Sequence, residues 1–408
     1  LQYMKIAVIG GGASGLMAAG TAAFYGGCVT LFEKNNLLGK KLLITGKGRC
    51  NVTNNCTMED FMNNIPVNNK FLYSAYTNFT SEDTMNFFES MGVSLKTERG
   101  NRVFPVSDRS SDIVNALKKY IKNNNVKVIN EEILSIEKTS EDSFSVISSK
   151  EKYFFDKVII ATGGASYPGT GSTGFGYLAA KKFGHTINDI KPSLVPLVIK
   201  EDICKKLQGL SLKNIKLSLL KNNKIIYSEL GEMLFTHFGM SGPLVLSASS
   251  HIRNLKNEYK ISIDLKPGLD EKKLDERILR DFSQNLNKDF SNSLSKLLPQ
   301  KLIPEMIKLS KIPFDKKVNA VTKEERQKLC FLIKNMQFSV EGFRPIEEAI
   351  ITSGGIDVKE INPKTMESKI CKDLYFCGEV LDVDGYTGGF NLQIAFSTGY
   401  LAGMKSIF

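Results

Sequence analysis

A short apolar run, Lys5-Ile6-Ala7-Val8-Ile9, passes straight into Gly10-Gly11-Gly12-Ala13-Ser14-Gly15, and this junction constrains the chain more than any other feature in it. A continuous aliphatic run of this length reads as a strand buried on both faces, hence as part of a parallel sheet. Leu16 to Tyr25 is small and apolar and reads as a helix packed closely on that sheet; Val29-Thr30-Leu31-Phe32 is the next strand, ending at Glu33. Together they make a βαβ unit whose turn spells G-x-G-x-x-G, with a carboxylate 18 positions after the last glycine. Each part has a physical role in holding a dinucleotide. Gly10 permits the tight turn, Gly12 lets a pyrophosphate approach the backbone, and Gly15 lets helix and strand pack closely. The helix N-terminus offers amide donors and the positive end of its dipole to the phosphates. Glu33 can accept hydrogen bonds from adenosine ribose hydroxyls and would repel a 2′-phosphate, which disfavours NADP at this position.

The rest of the chain separates FAD from NAD. The segment Lys40-Lys41-Leu42-Leu43-Ile44-Thr45-Gly46-Lys47-Gly48-Arg49-Cys50-Asn51 is glycine-rich and basic. It reads as too irregular for a core element and suits a loop wrapping a second, larger portion of a dinucleotide. Near the C-terminus, Asp373-Leu374-Tyr375-Phe376-Cys377 reads as a last parallel strand ending in Gly378-Glu379, which would bring a carboxylate near a ribitol-like chain. Asp384-Gly385-Tyr386-Thr387-Gly388-Gly389-Phe390-Asn391-Leu392 then opens a final helix, Gly389 to Met404. Its free amides would face the flavin N1 and C2 carbonyl region and stabilise the negative charge of the reduced ring.

A chain of 408 residues exceeds one ordinary core, so more than one domain is expected. Ser107 to Asn123 reads as an amphipathic helix capped by Ser107 or Asp108, followed by the strand Val126 to Ile129. Ile133 to Glu137, Ser143 to Ile147 and Tyr153 to Phe155 read as an antiparallel meander. Lys157-Val158-Ile159-Ile160-Ala161 is another buried strand, running into Thr162-Gly163-Gly164. The texture changes near Pro192. Ser193 to Leu265 is rich in alternating strand candidates, Asp270 to about Lys328 is helical and polar, and strands return after Phe338. The expected fold class is α/β: a Rossmann-like FAD-binding domain (parallel sheet plus β-meander) over 1–191 and 340–408, interrupted by a β-rich inserted domain over 192–268 and 329–339 with a helical subdomain over 269–328.

The net charge of +11 would suit nucleic acid or an anionic surface, but the lysines are mixed with acids, as in Glu271-Lys272-Lys273-Leu274-Asp275-Glu276-Arg277, and no interleaved aromatic–basic stripe stands out. Neither nucleic acid nor a membrane is therefore an expected partner. No apolar run approaches the roughly 20 residues that span a bilayer. Leu1 to Gly10 has no basic region followed by a long apolar one, so no secretion signal is expected there, and Met4 looks like a natural start. The seven cysteines form no Cys-x-x-Cys and fit reduced thiols in a cytoplasm; with three histidines and no clustered spacing, a metal site is not expected. Cys50 is the exception to watch.

Four further features carry candidate chemistry. Gly169-Thr170-Gly171-Ser172-Thr173-Gly174 repeats the glycine spelling, but Ser166-Tyr167-Pro168 precedes it instead of a strand, so it reads as a loop and any NAD(P)H binds transiently. His237, in Phe235-Thr236-His237-Phe238-Gly239-Met240-Ser241-Gly242-Pro243, can titrate near neutrality and is the candidate catalytic proton donor, with a histidine satisfying a turn as the plain alternative. Thr352-Ser353-Gly354-Gly355 reads as a glycine turn after the strand Ala349-Ile350-Ile351. Arg344 is a candidate for an anionic substrate, or a partner for Glu341 or Glu347.

At these residues the chain resembles the BaiN-like NAD(P)/FAD-dependent oxidoreductases, a group with members described as aminoacetone oxidases and as 3-dehydro-bile acid reductases. The stretches that carry the resemblance are Ile9 to Gly15, Gly39 to Asn54, Ala161 to Gly176, Gly231 to Pro243, Thr352 to Ile356 and Leu374 to Gly403. The resemblance implies an FAD domain in two chain segments, interrupted by a β-barrel-like domain and a helical insert. It also places Gly10, Gly12, Ser14, Gly15, Glu33, Lys41, Gly48, Arg49, Cys50, Gly164, Gly378, Glu379, Gly389, Asn391 and Leu392 at FAD-contacting positions. The motif segments add Ala13, Lys34, Gly46, Asn51, Ala161, Thr162, Gly163, Asp384, Gly388 and Phe390 to the candidate cofactor set. The leading expectation is hydride transfer between flavin N5 and a small organic substrate, with NAD(P)H as a transient donor. The alternatives are an oxygen-using amine or aminoacetone-type oxidase and, from another class, an FAD-containing nucleic-acid-binding or RNA-modifying protein.

Overall fold

The computed structural model describes residues 4–140, 143–252 and 255–408; Leu1-Gln2-Tyr3, ahead of the expected start at Met4, lie outside them. The chain divides into two compact units. One runs to Ser193 and resumes at Pro345; the other is Leu194–Arg344.

The first unit is built on a five-stranded parallel sheet in the order Leu374–Phe376, Lys157–Ile160, Lys5–Ile9, Cys28–Phe32, Lys127–Ile129. Register is set so that Ile9 lies opposite both Phe32 and Ile160, and Ile160 opposite Phe376. The strands thus end level, and Gly10, Glu33, Ala161 and Cys377 all leave the same carboxyl edge, where open α/β sheets bind ligands. Ile6, Ala7, Val8, Val158, Ile159 and Ile160 are fully buried, as their unbroken apolar runs require. The helix Ala13–Phe24 follows the first strand, and the C-terminal helix Phe390–Lys405 packs against it. The approach is close because Gly399 and Gly403 stand where a Cβ would lie 2.5 Å from the Ser14 carbonyl oxygen and 2.4 Å from that of Ala18. The strands Ile133–Ser140, Ser143–Ser148 and Lys152–Phe155 form the antiparallel meander.

Some local expectations need correction. Lys40–Ile44 is a short helix with Leu42 buried, not an irregular loop. The later helix begins at Ser110, with Arg109 as an N-cap that makes no side-chain bond. Ser107 and Asp108 do not cap it: the Ser107 hydroxyl donates to Asp112, while Asp108 accepts from Arg49 and Lys96. Thr352 to Gly355 is not a turn. It lies inside the buried strand Ile351–Ile356, which pairs antiparallel with Ile187–Ser193. Gly354 is needed there because a Cβ would meet the Asp189 carbonyl oxygen at 2.1 Å. The region between Asn54 and Arg102, left without elements above, holds the helices Met58–Asn63, Tyr73–Asn78 and Ser81–Ser90. It also supplies a small sheet of Thr53–Asn54, Arg102–Pro105 and Leu95–Glu98.

The second unit is a closed six-stranded barrel of Leu197–Ile199, Gly239–Ser241, Lys224–Thr236, Ser211–Lys221, Tyr259–Asp264 and Met336–Phe343. Between the last two strands come the helices Glu271–Ser283, Ile303–Ser310 and Lys323–Lys334, the third opened by a capping box of Thr322 and Glu325. Leu274, Ile278, Leu329 and Ile333 of these helices share one hydrophobic core with Ile261, Ile263 and Phe338 of the barrel. Among the described residues no helix is long and apolar enough to cross a membrane.

Candidate functional site

The glycine turn after the first strand is closed on two sides and open on the third. Gly10 has φ +108°, and a Cβ there would lie 2.5 Å from the Ala161 carbonyl oxygen. A Cβ on Gly15 would lie 1.8 Å from the Gly10 carbonyl oxygen. At Gly12 nothing stands within 4 Å of the Cβ position. The free space sits at the N-cap of a 12-residue helix with no side-chain cap and no acid in its first turn, so its amides and positive dipole end are uncompensated. Ala13 and Ser14 begin this helix.

Glu33 is fixed by three donors. Its Oε2 accepts from the Gly11 amide at 2.8 Å, and its Oε1 from the amide and side chain of Asn35 at 2.8 and 2.7 Å. A carboxylate has about four acceptor positions, so one remains for a ribose hydroxyl. Asn35, which sequence reasoning missed, also donates from Nδ2 to the Thr170 carbonyl oxygen at 3.1 Å, tying the second glycine loop to this corner. Lys34 turns to the same loop, donating to Thr173 Oγ1 at 3.0 Å.

Lys41 and Glu379, 338 positions apart, form the centre of the site. Lys41 Nζ donates to Glu379 Oε2 at 2.8 Å and to Ser166 Oγ at 2.8 Å. Glu379 Oε1 accepts from the Thr352 amide at 2.8 Å and from Ser166 Oγ at 3.1 Å. Thr352 Oγ1 in turn accepts from the Ala165 and Ser166 amides. The ion pair thus clamps four segments: the Lys40–Ile44 helix, the Ala161–Ser166 loop, the Ile351–Ile356 strand and the Gly378–Val380 turn. Gly164 is obligatory in that loop, because a Cβ would meet Thr352 Oγ1 at 2.4 Å; Gly163 is left-handed at φ +73°.

The C-terminal return closes onto the first glycine turn. Gly378, at φ +78°, would carry a Cβ 2.3 Å from Ser14 Oγ. Gly389, at φ +101°, would carry one 2.3 Å from the Thr53 carbonyl oxygen. Asn391 folds the preceding loop onto the helix start, its Oδ1 accepting from the Gly385 amide and its Nδ2 donating to the Gly385 and Tyr386 carbonyl oxygens. Gln393 adds a buried tie, its Oε1 accepting from Thr53 and Thr84. Gly388, at φ +123°, precedes the helix; Phe390 is buried and Leu392 partly buried within it.

Several candidates are spent elsewhere. The Arg49 guanidinium binds Glu98 and Asp108 and lies 4.1 Å over the Phe104 ring, so its charge is committed to that cluster. Gly46 and Gly48 shape the turn before it, both with positive φ. Burial holds the Cys50 and Cys377 thiols up at about 12, which removes both as nucleophiles at neutral pH. Asp384 is buried, accepting from Ser193 and Ser353 hydroxyls at 3.2 Å each. His237 is exposed in the second unit, in the turn between two barrel strands, its ring centroid 5.0 Å from that of Phe238. Arg344 lies 4.5 Å over the same Phe238 ring. The buried histidine is His185, held by Glu360 and Ser368, its pKa pushed down by burial.

Two buried polar atoms beside these segments, Asn51 Oδ1 and Thr162 Oγ1, have no protein partner. Buried polar atoms are nearly always paired, so they fit a bound polar group, as does the open space over Gly12. A family model described as the HI0933-like protein Rossmann domain matches residues 4–405. The chain belongs to this family. As an HI0933-like protein it is an FAD-dependent oxidoreductase, and the orphaned acceptors and uncapped helix fit FAD. Among curated relatives of this HI0933-like chain, it is 31% identical over 408 residues to the 3-dehydro-bile acid delta(4,6)-reductase of Clostridium scindens, covering 98% of each chain. It is 32% identical over 411 residues to the ribosomal RNA dihydrouridine synthase of Haemophilus influenzae, covering 99% of this chain and 98% of that one. The Escherichia coli ribosomal RNA dihydrouridine synthase is 30% identical over 401 residues, at 98% and 97% coverage.

Proposed function

We propose that this chain reduces a carbon–carbon double bond conjugated to a carbonyl group. The observation that carries the reading is that relatives with two unlike substrates match it almost equally, at 31% and 32% identity over nearly full length. Read as chemistry, both of their names denote saturation of a double bond conjugated to a ring carbonyl. When bound, FAD supplies two-electron hydride chemistry. The net reaction adds one hydride, drawn from NADH or NADPH, to the carbon distal to the carbonyl and one proton to the carbon beside it.

The protein's own contribution is positioning and electrostatics. The first turns of Ala13–Phe24 and Phe390–Lys405 contain no acidic residue, so both positive helix ends are available to a dinucleotide. Gly10, Gly12, Gly15, Ser14 and Glu33 would hold the adenosine and pyrophosphate half. Asn51, Thr162, Gly164, Gly388, Gly389 and Asn391 would hold the other half, with the Lys41–Glu379 clamp fixing the loops around them.

We favour a uracil ring in RNA as the substrate, because the second unit carries a large excess of positive charge. Residues 194–344 hold 27 lysines and arginines against 17 acids, a net +10; the other 257 residues hold 27 against 26, a net +1. A small ring enone is the second reading, supported by the similarity to the bile acid reductase. The test is anaerobic stopped-flow of the holoprotein, reduced with NADH or NADPH and then mixed with uridine-containing RNA or with cyclic enones, following flavin absorbance. Reoxidation by RNA with dihydrouridine formed supports the first substrate, and reoxidation by enones the second. Reoxidation by neither class, with rapid turnover on oxygen and amines, would overturn the reading.

A further inference from the structure

We infer that RNA docks on the hairpin of the barrel formed by Ser211–Lys221 and Lys224–Thr236, along a ribbon of Lys213, Lys216, Lys221 and Lys224; this rests on the RNA reading of the substrate. The strand Ser211–Lys221 contains no acidic residue. Lys213 and Lys216 are three positions apart and would face opposite sides of a regular strand. The pairing shifts between Leu212 and Ile215, and Asn214 takes φ +53°, so the alternation is re-phased. Both lysines are exposed while Leu212, Ile215 and Leu217 are buried in the barrel. At the tip Lys221 lies opposite Lys224 across a two-residue turn of Asn222 and Asn223, both with positive φ, the geometry that suits a tight hairpin.

Several other lysines of the unit are held by carboxylates. Lys205 pairs with Asp202, Lys260 with Glu258, Lys316 with Glu325 and Lys334 with Asp264. Among the described residues none of the four ribbon lysines has a carboxylate partner. The acids of the two flanking strands are Glu229, Glu232 and, opposite Lys216, Asp264; Glu229 is bound by the Tyr227 hydroxyl and Asp264 by Lys334. From Lys213 to Lys221 the strand spans about 26 Å at roughly 3.3 Å per residue, the length of about seven or eight stacked nucleotides at roughly 3.4 Å each. Ile225 and Leu230, 64% and 63% exposed, lie beside the charges and offer apolar surface to bases or sugars. An unpaired row of ammonium groups along one hairpin suits a phosphate backbone, and neutralising phosphates releases counterions.

The experiment is fluorescence-anisotropy titration of the FAD-loaded full chain with single-stranded and hairpin RNA at several salt concentrations. It compares the native protein with K213Q/K216Q/K221Q/K224Q and with K288Q/K296Q/K311Q, three exposed lysines of the helical stretch. Each lost single-strand phosphate contact lowers the slope of log K against log salt by about 0.7, so the ribbon variant should lose about 3. The helical variant should keep the native slope. Flavin absorbance and melting temperature report folding; should the fourfold variant fold poorly, K213Q/K216Q and K221Q/K224Q should each lower the slope by about 1.4. An unchanged slope in the ribbon variants, or an equal loss in the helical variant, overturns the surface. RNA bound through the ribbon without any dihydrouridine formed would sink the substrate reading and leave the surface standing.

Discussion

Two neighbouring glycines should fail in opposite ways when given a methyl group. At Gly15 the added Cβ would sit 1.8 Å from the Gly10 carbonyl oxygen and 3.3 Å from the Ala161 side chain. Helix and strand would have to separate, and overpacking of this kind costs about 1–3 kcal/mol or more. At Gly12 the Cβ meets nothing, and the backbone lies in the extended region at φ −85°, open to any residue. Gly12→Ala should therefore fold, losing at most about 1 kcal/mol from a poorer N-cap. Its methyl group would stand in the one open approach to the helix amides. Losing one charge-assisted hydrogen bond, worth about 1.5–3 kcal/mol, weakens binding roughly 10- to 150-fold. The assay pairs thermal melting of the FAD-free chains with titration of each by FAD, following flavin fluorescence. Native-like melting with FAD affinity within twofold of the native chain for Gly12→Ala would refute the reasoning, as would a Gly15→Ala chain that melts normally.

Three further outcomes follow from the same geometry. Glu379→Ala strips acceptors from Lys41, Ser166 and the Thr352 amide; with the group partly exposed, urea unfolding should show a loss of about 2–3 kcal/mol, against about 1 for Glu379→Gln, and equal losses would contradict the clamp. His185 titrates below its ordinary value of 6.5 because it is buried, so the unfolded chain binds the proton more readily. Stability should then fall as pH drops through and below about 6.5, and urea midpoints at pH 7.5 and 5.5 should converge in His185→Gln; stability that rises on acidification would reverse the sign. In thiol labelling of the native chain the exposed Cys28 should react first and the buried Cys50 and Cys377 last; rapid modification of Cys50 would contradict its burial.

What the sequence made legible was local. The βαβ unit could be read because strand, turn, helix and acid lie within about thirty positions and each has its own chemical signature. The meander and the final helix were readable for the same reason. Long-range pairing left no trace: nothing near Lys41 announces Glu379, and His185 meets Glu360 and Ser368 from 175 and 183 positions away. Glycine misled at Thr352 to Gly355, where it marks a neighbouring strand pressed against the backbone and not a turn. Lys40–Ile44 looked irregular because five residues are too few to display helical periodicity, yet Leu42 alone anchors the helix. The small sheet around Thr53 escaped because its strands are two and four residues long. Net charge was legible only as a total; its concentration in the barrel unit emerged once the boundaries at Ser193 and Pro345 were known.

Two helix starts, at Gly12 and at Gly389, are proposed to serve one FAD molecule. A crystal structure of the chain grown with FAD tests this most directly. The pyrophosphate should lie within hydrogen-bond reach of the amides opening Ala13–Phe24, with the isoalloxazine ring against the residues that open Phe390–Lys405. Density placing the ring away from Gly388 to Asn391, or the pyrophosphate away from Gly12, would contradict it.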